Sequence, residues 1–216
     1  MKRKEKLFNR LLTAPERAKY EHMRQRRKEN EQSLRASLKG HLSTLNDGVM
    51  AIIITVMLLE IPYPADRAAY RDFGWAIAAF FVSFFVVADF WYENKKVFAL
   101  TAEIGHGLML LNFLFLAVLG LIPVMTKWIM NRADGFAAAN YGAVYLLTLL
   151  IHCAMYFSAL RRRFRDHRGL FFKLIAVRTL TVLVPNLALI ALGLRHPRAV
   201  VIAYIVLPVL SFLQPD

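Results

Sequence analysis

Few residues in this chain are arranged to make or break bonds. Glu103 and His106 stand one helical turn apart, close enough for a carboxylate and an imidazole to touch. Catalysis needs a nucleophile, a base and a charge stabiliser converging on one point, and no third group accompanies them. His152 lies in an apolar stretch without an acidic neighbour, which suits a core histidine, and His167 and His196 sit in basic turns. There is no glycine-rich phosphate loop, no paired-cysteine motif and no serine elbow. An enzyme is therefore not expected, nor a cofactor or bound metal. The stretch that does suggest chemistry is HLSTLNDGVMAIIITVMLLEIPYP, from His41 to Pro64. Between Val49 and Leu59 its one polar side chain is Thr55, with Asp47 before the run and Glu60 after it. On a helix Leu45, Ile52, Thr55, Val56 and Leu59 fall on one face by three-and-four spacing. Such a face can line a water-filled path, or it can pack on neighbouring helices like any other. Every face of this segment is apolar, so the residue pattern leaves both readings open.

The element that must carry this face is a membrane helix, since about 20 apolar residues match a hydrocarbon core of ~30 Å. Ile61-Pro62-Tyr63-Pro64 ends it, because proline lacks an amide hydrogen and disfavours helix at the preceding residue. Further apolar runs follow at about Phe73–Tyr92, Leu108–Ile129, Phe136–Leu160 and Leu170–Leu194, then a shorter one at Ala199–Leu213. The third carries Asn112 and Pro123, and the fifth carries Arg178 and Pro185. The expected fold is all-α, a polytopic membrane protein with six transmembrane helices. Residues 1–40 form a basic cytoplasmic helical segment, 41–213 the membrane domain and 214–216 a tail. In the first segment Leu7, Phe8, Leu11 and Leu12 make a narrow apolar stripe, and Thr13-Ala14-Pro15-Glu16 reads as a helix start with Thr13 as its cap.

The 216 residues are 57% hydrophobic yet hold 28 Lys and Arg against 15 Asp and Glu. Soluble basic proteins are far less apolar, and the charge here is segregated, with thirteen basic residues before residue 41 and a second cluster at Arg161–Lys173. Beside membrane spans, such blocks follow the positive-inside rule and attract anionic lipid. Nucleic acid is not an expected partner, since interleaved aromatics are few and no binding fold is visible. With both termini cytoplasmic, inside segments hold 21 basic residues and outside loops 6. Cys153 is the sole cysteine, so no intramolecular disulfide is expected, and the first forty residues lack the apolar core of a cleavable leader. Asn46, Asp47, Trp91, Asn94 and Asn112 all lie near the cytoplasmic ends of their helices in this topology, where they form a candidate structural polar network.

Asp47, Gly48, Val49, Ala51, Ile52, Thr55 and Glu60 resemble the first helix of the transmembrane protein 175 family, the endosomal and lysosomal potassium channels and their bacterial homologues. That family's signature is an Arg ahead of Phe-Ser-Asp, then a small residue and an apolar run with one Thr. His41, Leu45 and Asn46 stand here in place of its Arg, Phe and Ser. Trp91 with Asn94, and LLNFLFLAVLGLIPVMT from Leu110 to Thr126, extend the likeness, which runs from about His41 to Leu213. The resemblance implies a single-repeat homologue working as a homo-oligomer, most simply a tetramer, in the cell membrane. Potassium would be the permeant ion and no cofactor would be needed. The first helices would line the pore, with Ile52 as constriction, Thr55 as the selectivity hydroxyl, and Val56 and Leu59 as further apolar layers. The function expected is passive, potassium-preferring cation conduction; the alternatives are a secondary ion transporter or a proton-permeable channel.

Overall fold

The computed structural model describes residues 13–101, 104–160 and 168–213. The residues Leu7, Phe8, Leu11 and Leu12 of the expected stripe, Glu103, and residues 161–167 and 214–216 lie outside these, as does the side chain of Arg178. The described residues are helical throughout, apart from short connections: α1 (Ala14–Leu59), α2 (Tyr70–Leu100), α3 (His106–Leu119), α4 (Ile122–Asn131), α5 (Gly135–Leu160), α6 (Arg168–Gly193), α7 (Pro197–Ala203) and α8 (Val206–Leu213).

Helix α1 begins where the sequence places a start. The amide and hydroxyl of Thr13 both donate to Glu16 Oε2, at 2.8 and 2.7 Å, and Pro15 occupies the first turn, where its missing N–H has no partner to lose. Those two donors, the amide foremost, hold the Glu16 carboxyl below its ordinary value. The helix then runs 46 residues without a break, straight through Gly40, so the basic segment and the first apolar segment are one rod. Its membrane-length apolar part is Ser37–Leu59. At 1.5 Å per residue the residues before it project roughly 35 Å further.

Among the described residues four stretches are long and apolar enough to cross a membrane: Ser37–Leu59, Tyr70–Leu100, His106–Asn131 and Gly135–Leu160. The third is two helices rather than one. Pro123 cannot donate to the carbonyl of Leu119, so the ladder stops at α3 and restarts with Pro123 in the first turn of α4. In place of the last two expected spans stand shorter apolar helical stretches, Thr179–Gly193 within α6 and Pro197–Val209 across α7 and α8. Pro185 interrupts the hydrogen bonding of α6, and Pro208 cannot bond back to Tyr204, where α7 gives out.

Helix α5 is the hub, lying along α3, α4, α6 and α7, while α2 joins α1 to α4 and α5. The packed centre includes Val86, Phe90, Phe115, Leu119, Ile122 and Met155. His152 is buried there, its ring against Phe90 and Phe115. Gly142 lets α5 approach its neighbours closely: a Cβ at that position would lie 2.5 Å from both Ile190 Cγ1 and Tyr204 Oη. Behind α1 three buried hydroxyls meet. Thr126 Oγ1 lies 2.7 Å from Ser83 Oγ, which lies 3.2 Å from Tyr141 Oη.

Candidate functional site

The apolar part of α1 has two unlike faces, although its composition is the same all round. Leu42, Asn46, Met50, Ile53 and Met57 are buried against the rest of the protomer, at the three-and-four spacing of one helical stripe. The stripe of Leu45, Ile52, Thr55, Val56 and Leu59 is exposed, Val56 at 39%, Ile52 at 62% and Leu59 at 84%. Thr55 donates its hydroxyl hydrogen to the Ile52 carbonyl at 2.9 Å. The proton is thus used within the helix, and the oxygen lone pairs are what Thr55 offers outward, a cation-compatible arrangement.

Two polar latches hold α1 to its neighbours. Asn46 and Asn112 exchange amide hydrogen bonds both ways, Nδ2 to Oδ1 at 3.0 Å each, and both side chains are buried, 2% and 1% exposed. A carboxamide pair is self-complementary, so each donor and acceptor facing the partner is used. The second latch is charged. Trp91 Nε1 donates to Asp47 Oδ1 at 2.8 Å, and Lys95 Nζ reaches Oδ1 at 2.7 Å and Oδ2 at 2.8 Å. Lys95 also donates to Ser43 Oγ at 2.9 Å and lies 5.7 Å from the Trp91 ring centre. Trp91 and Lys95 are one turn apart on α2, which puts both over the same stretch of α1.

Of the five residues read from the sequence as a polar network, four therefore stand in two separate contacts. Asn94 is buried but in neither, and its Oδ1 has no partner among the described residues. Lys95 and Ser43 are not among the residues singled out from the sequence; the signal for Lys95 is the Trp91–Lys95 spacing on a helix that continues past its apolar run. Nor is the contact at the far end of α1, where Lys127 Nζ lies 2.7 Å from Glu60 Oε2. Beside that contact Trp75 Nε1 donates to the Ile129 carbonyl at 3.0 Å.

Residues 41–123, which hold the uncovered stripe, both latches and α2, match the family model described as endosomal/lysosomal potassium channel TMEM175. Over that stretch, which is under half of the chain, the sequence is similar to the TMEM175 family. The chain is also similar to individual proteins. One named as a potassium channel from Streptomyces collinus is 33% identical over 133 residues, covering 56% of this chain and 65% of the relative. Another, from Chryseobacterium sp., is 30% identical over 120 residues, covering 55% and 61%. The chain thus spans just under two thirds of the length of the curated relatives it matches. The crystal structure of a lysosomal potassium-selective channel TMEM175 homologue from Chamaesiphon minutus superposes with a TM-score of 0.63 at 20% identity, over 82% of this chain and 97% of that one. That likeness is one of fold. With four helical stretches among the described residues long and apolar enough to cross a membrane, the chain is a multi-pass membrane protein.

Proposed function

We propose that this protein is a passive, potassium-preferring cation channel, a homo-oligomer in which α1 of each copy lines a central pore. The observation that carries the reading is the asymmetry of α1. One stripe is packed into the protomer and held by two polar latches, while Leu45, Ile52, Thr55, Val56 and Leu59 on another side stay exposed, Ile52 and Leu59 most of all. Four copies turning that stripe to a common axis would form a ring of Ile52, with rings of Val56 and Leu59 one and two turns outward. Nothing in an Ile52 ring replaces the hydration shell of an ion, so this layer is the gate by dewetting, and the Thr55 oxygens beside it favour potassium. Asn46, Asp47, Trp91, Asn94 and Asn112 act in this reading as supports of the pore helix rather than ion ligands. The helical stretches Thr179–Gly193 and Pro197–Val209 complete six passes, both termini are cytoplasmic, and the basic segments meet anionic lipid headgroups.

The test is flux through purified protein in liposomes under potassium and sodium gradients. Ile52→Asn hydrates the narrowest layer and raises resting conductance. Thr55→Val, at similar volume, lowers potassium preference more than total current. An unchanged conductance in the first and unchanged selectivity in the second would remove α1 from the pore.

A further inference from the structure

A straight helix held to its neighbours along one line can roll about its axis. Nothing in the composition of the Val49–Leu59 part of α1 opposes such a roll, because that run is apolar on every side. The geometry points to Lys95 as the residue that prevents it: we propose that Lys95 is a positioning residue, fixing the rotation of α1 and so deciding which of its residues face away from the protomer. This rests on the channel reading above for its consequence, but not for its geometry.

At about 100° per residue, the Ser43 and Asp47 pair reached by Lys95 sits roughly 80° around the helix from Asn46. These contacts come from different helices, α2 at Lys95 and α3 at Asn112, and all lie within a little more than one turn of α1. Two attachments at one level, to two bodies and at two azimuths, remove the rotation that either alone would allow. Ile52 lies roughly 160° from the Asp47 side and roughly 120° from Asn46, so the locked orientation turns it away from both partners. Within the charged latch Lys95 is the central group. It touches both carboxylate oxygens of Asp47 and the hydroxyl of Ser43, one turn back along α1, whereas Trp91 makes a single bond to one oxygen. Its contacts therefore run along α1 as well as across to it.

The experiment is disulfide cross-linking between copies in a Cys153→Ser background, with one new cysteine at a time at positions 51, 52 and 55. The readout is taken on assembled protein in liposomes. With Lys95 intact, the cysteine at 52 cross-links well and that at 51, roughly 100° away, poorly. Lys95→Met is expected to cut cross-linking at 52 by threefold or more and raise it at 51 or 55, and Lys95→Arg to restore the parent pattern. A general loss of stability would lower all positions together without changing their order. If Lys95→Met does not assemble, Lys95→Gln removes the charge with less loss of hydrogen bonding and is read the same way. Cross-linking at 52 that keeps its lead in the variants overturns the assignment of Lys95 and leaves the pore reading standing. Failure of 52 to cross-link while Lys95 is present overturns the pore reading itself.

Discussion

The Asn46–Asn112 pair gives the sharpest energetic test of how α1 is held. Replacing Asn46 by Leu keeps the volume roughly constant but strands one amide donor and one carbonyl acceptor of Asn112 in a site only 1% exposed. An orphaned buried polar group costs ~1–3 kcal/mol in soluble proteins, and interhelical hydrogen bonds in membranes average nearer ~0.6. Two such groups at about 1 kcal/mol each make the single substitution cost about 2 kcal/mol, and Asn112→Leu costs the same by symmetry. The double variant strands nothing, and an apolar pair of similar shape is close to neutral, so the two substitutions couple by about 4 kcal/mol. For a chain of this size about 2 kcal/mol corresponds to ~4–8 °C in Tm, easily read from thermal unfolding in detergent. Each single variant should melt lower, with the double variant recovering most of the loss. Additive losses, to within ~0.5 kcal/mol, would show that the two amides are solvated separately and that α3 does not hold α1 through them.

Asp47→Ala should lower thermal stability or assembly without changing ion preference, since it removes the carboxylate that Trp91 and Lys95 share; altered selectivity at full stability would make Asp47 an ion ligand. Single cysteines at Lys39 and Asp216 should resist an impermeant thiol reagent added outside intact cells while one at Asp66 reacts, and outside labelling at either terminus would contradict cytoplasmic termini. Gly142→Ala should destabilise the fold by about 1–3 kcal/mol, because the new methyl meets Ile190 and Tyr204 at 2.5 Å; an unchanged Tm would mean that α5, α6 and α7 can part there without loss. The Glu16 carboxyl titrates below its ordinary 4.5, so what it adds to the start of α1 is present above that value and lost as pH falls through the lowered one. Amide protection over residues 14–18, taken relative to intrinsic exchange at each pH, should accordingly fall in acid, and Glu16→Gln should abolish that fall.

The membrane helices were legible because the hydrophobic effect writes them as runs: α1, α2 and α5 lie where unbroken apolar composition puts them. Breaks were less legible, because they depend on which carbonyl a proline deprives. Pro123 splits a single apolar run into α3 and α4, although the run reads as continuous by composition. Gly40 misled in the opposite sense. It stands where polar sequence gives way to apolar and looks like a boundary, yet with helix on both sides its backbone follows the rod, since one glycine costs only ~1 kcal/mol relative to alanine.

The orientation of α1 was the part that sequence could not supply, for a definite reason. A helix betrays its buried side in sequence only when its other side is polar. In a membrane both the packed and the unpacked sides are apolar, so Met57 and Ile52 look alike until one is buried and the other is not. What breaks the symmetry is a handful of polar side chains at the end of the run, acting through partners about 45 to 65 residues away in the chain: Asp47 through Trp91 and Lys95, Asn46 through Asn112. Each of those residues is ordinary in isolation. An Asn within an apolar helix, or a Lys just beyond one, is found wherever a membrane helix needs a partner or an anchor. Their meaning lies in the pairing, which follows only once α2 runs back along α1 and α3 crosses behind it. The same logic explains why Thr55 was visible as polar while its use was not. Its hydroxyl hydrogen is taken by the Ile52 carbonyl, so what remains for any ion is an oxygen whose direction is set by the rotation of the whole helix, and hence by side chains two turns away.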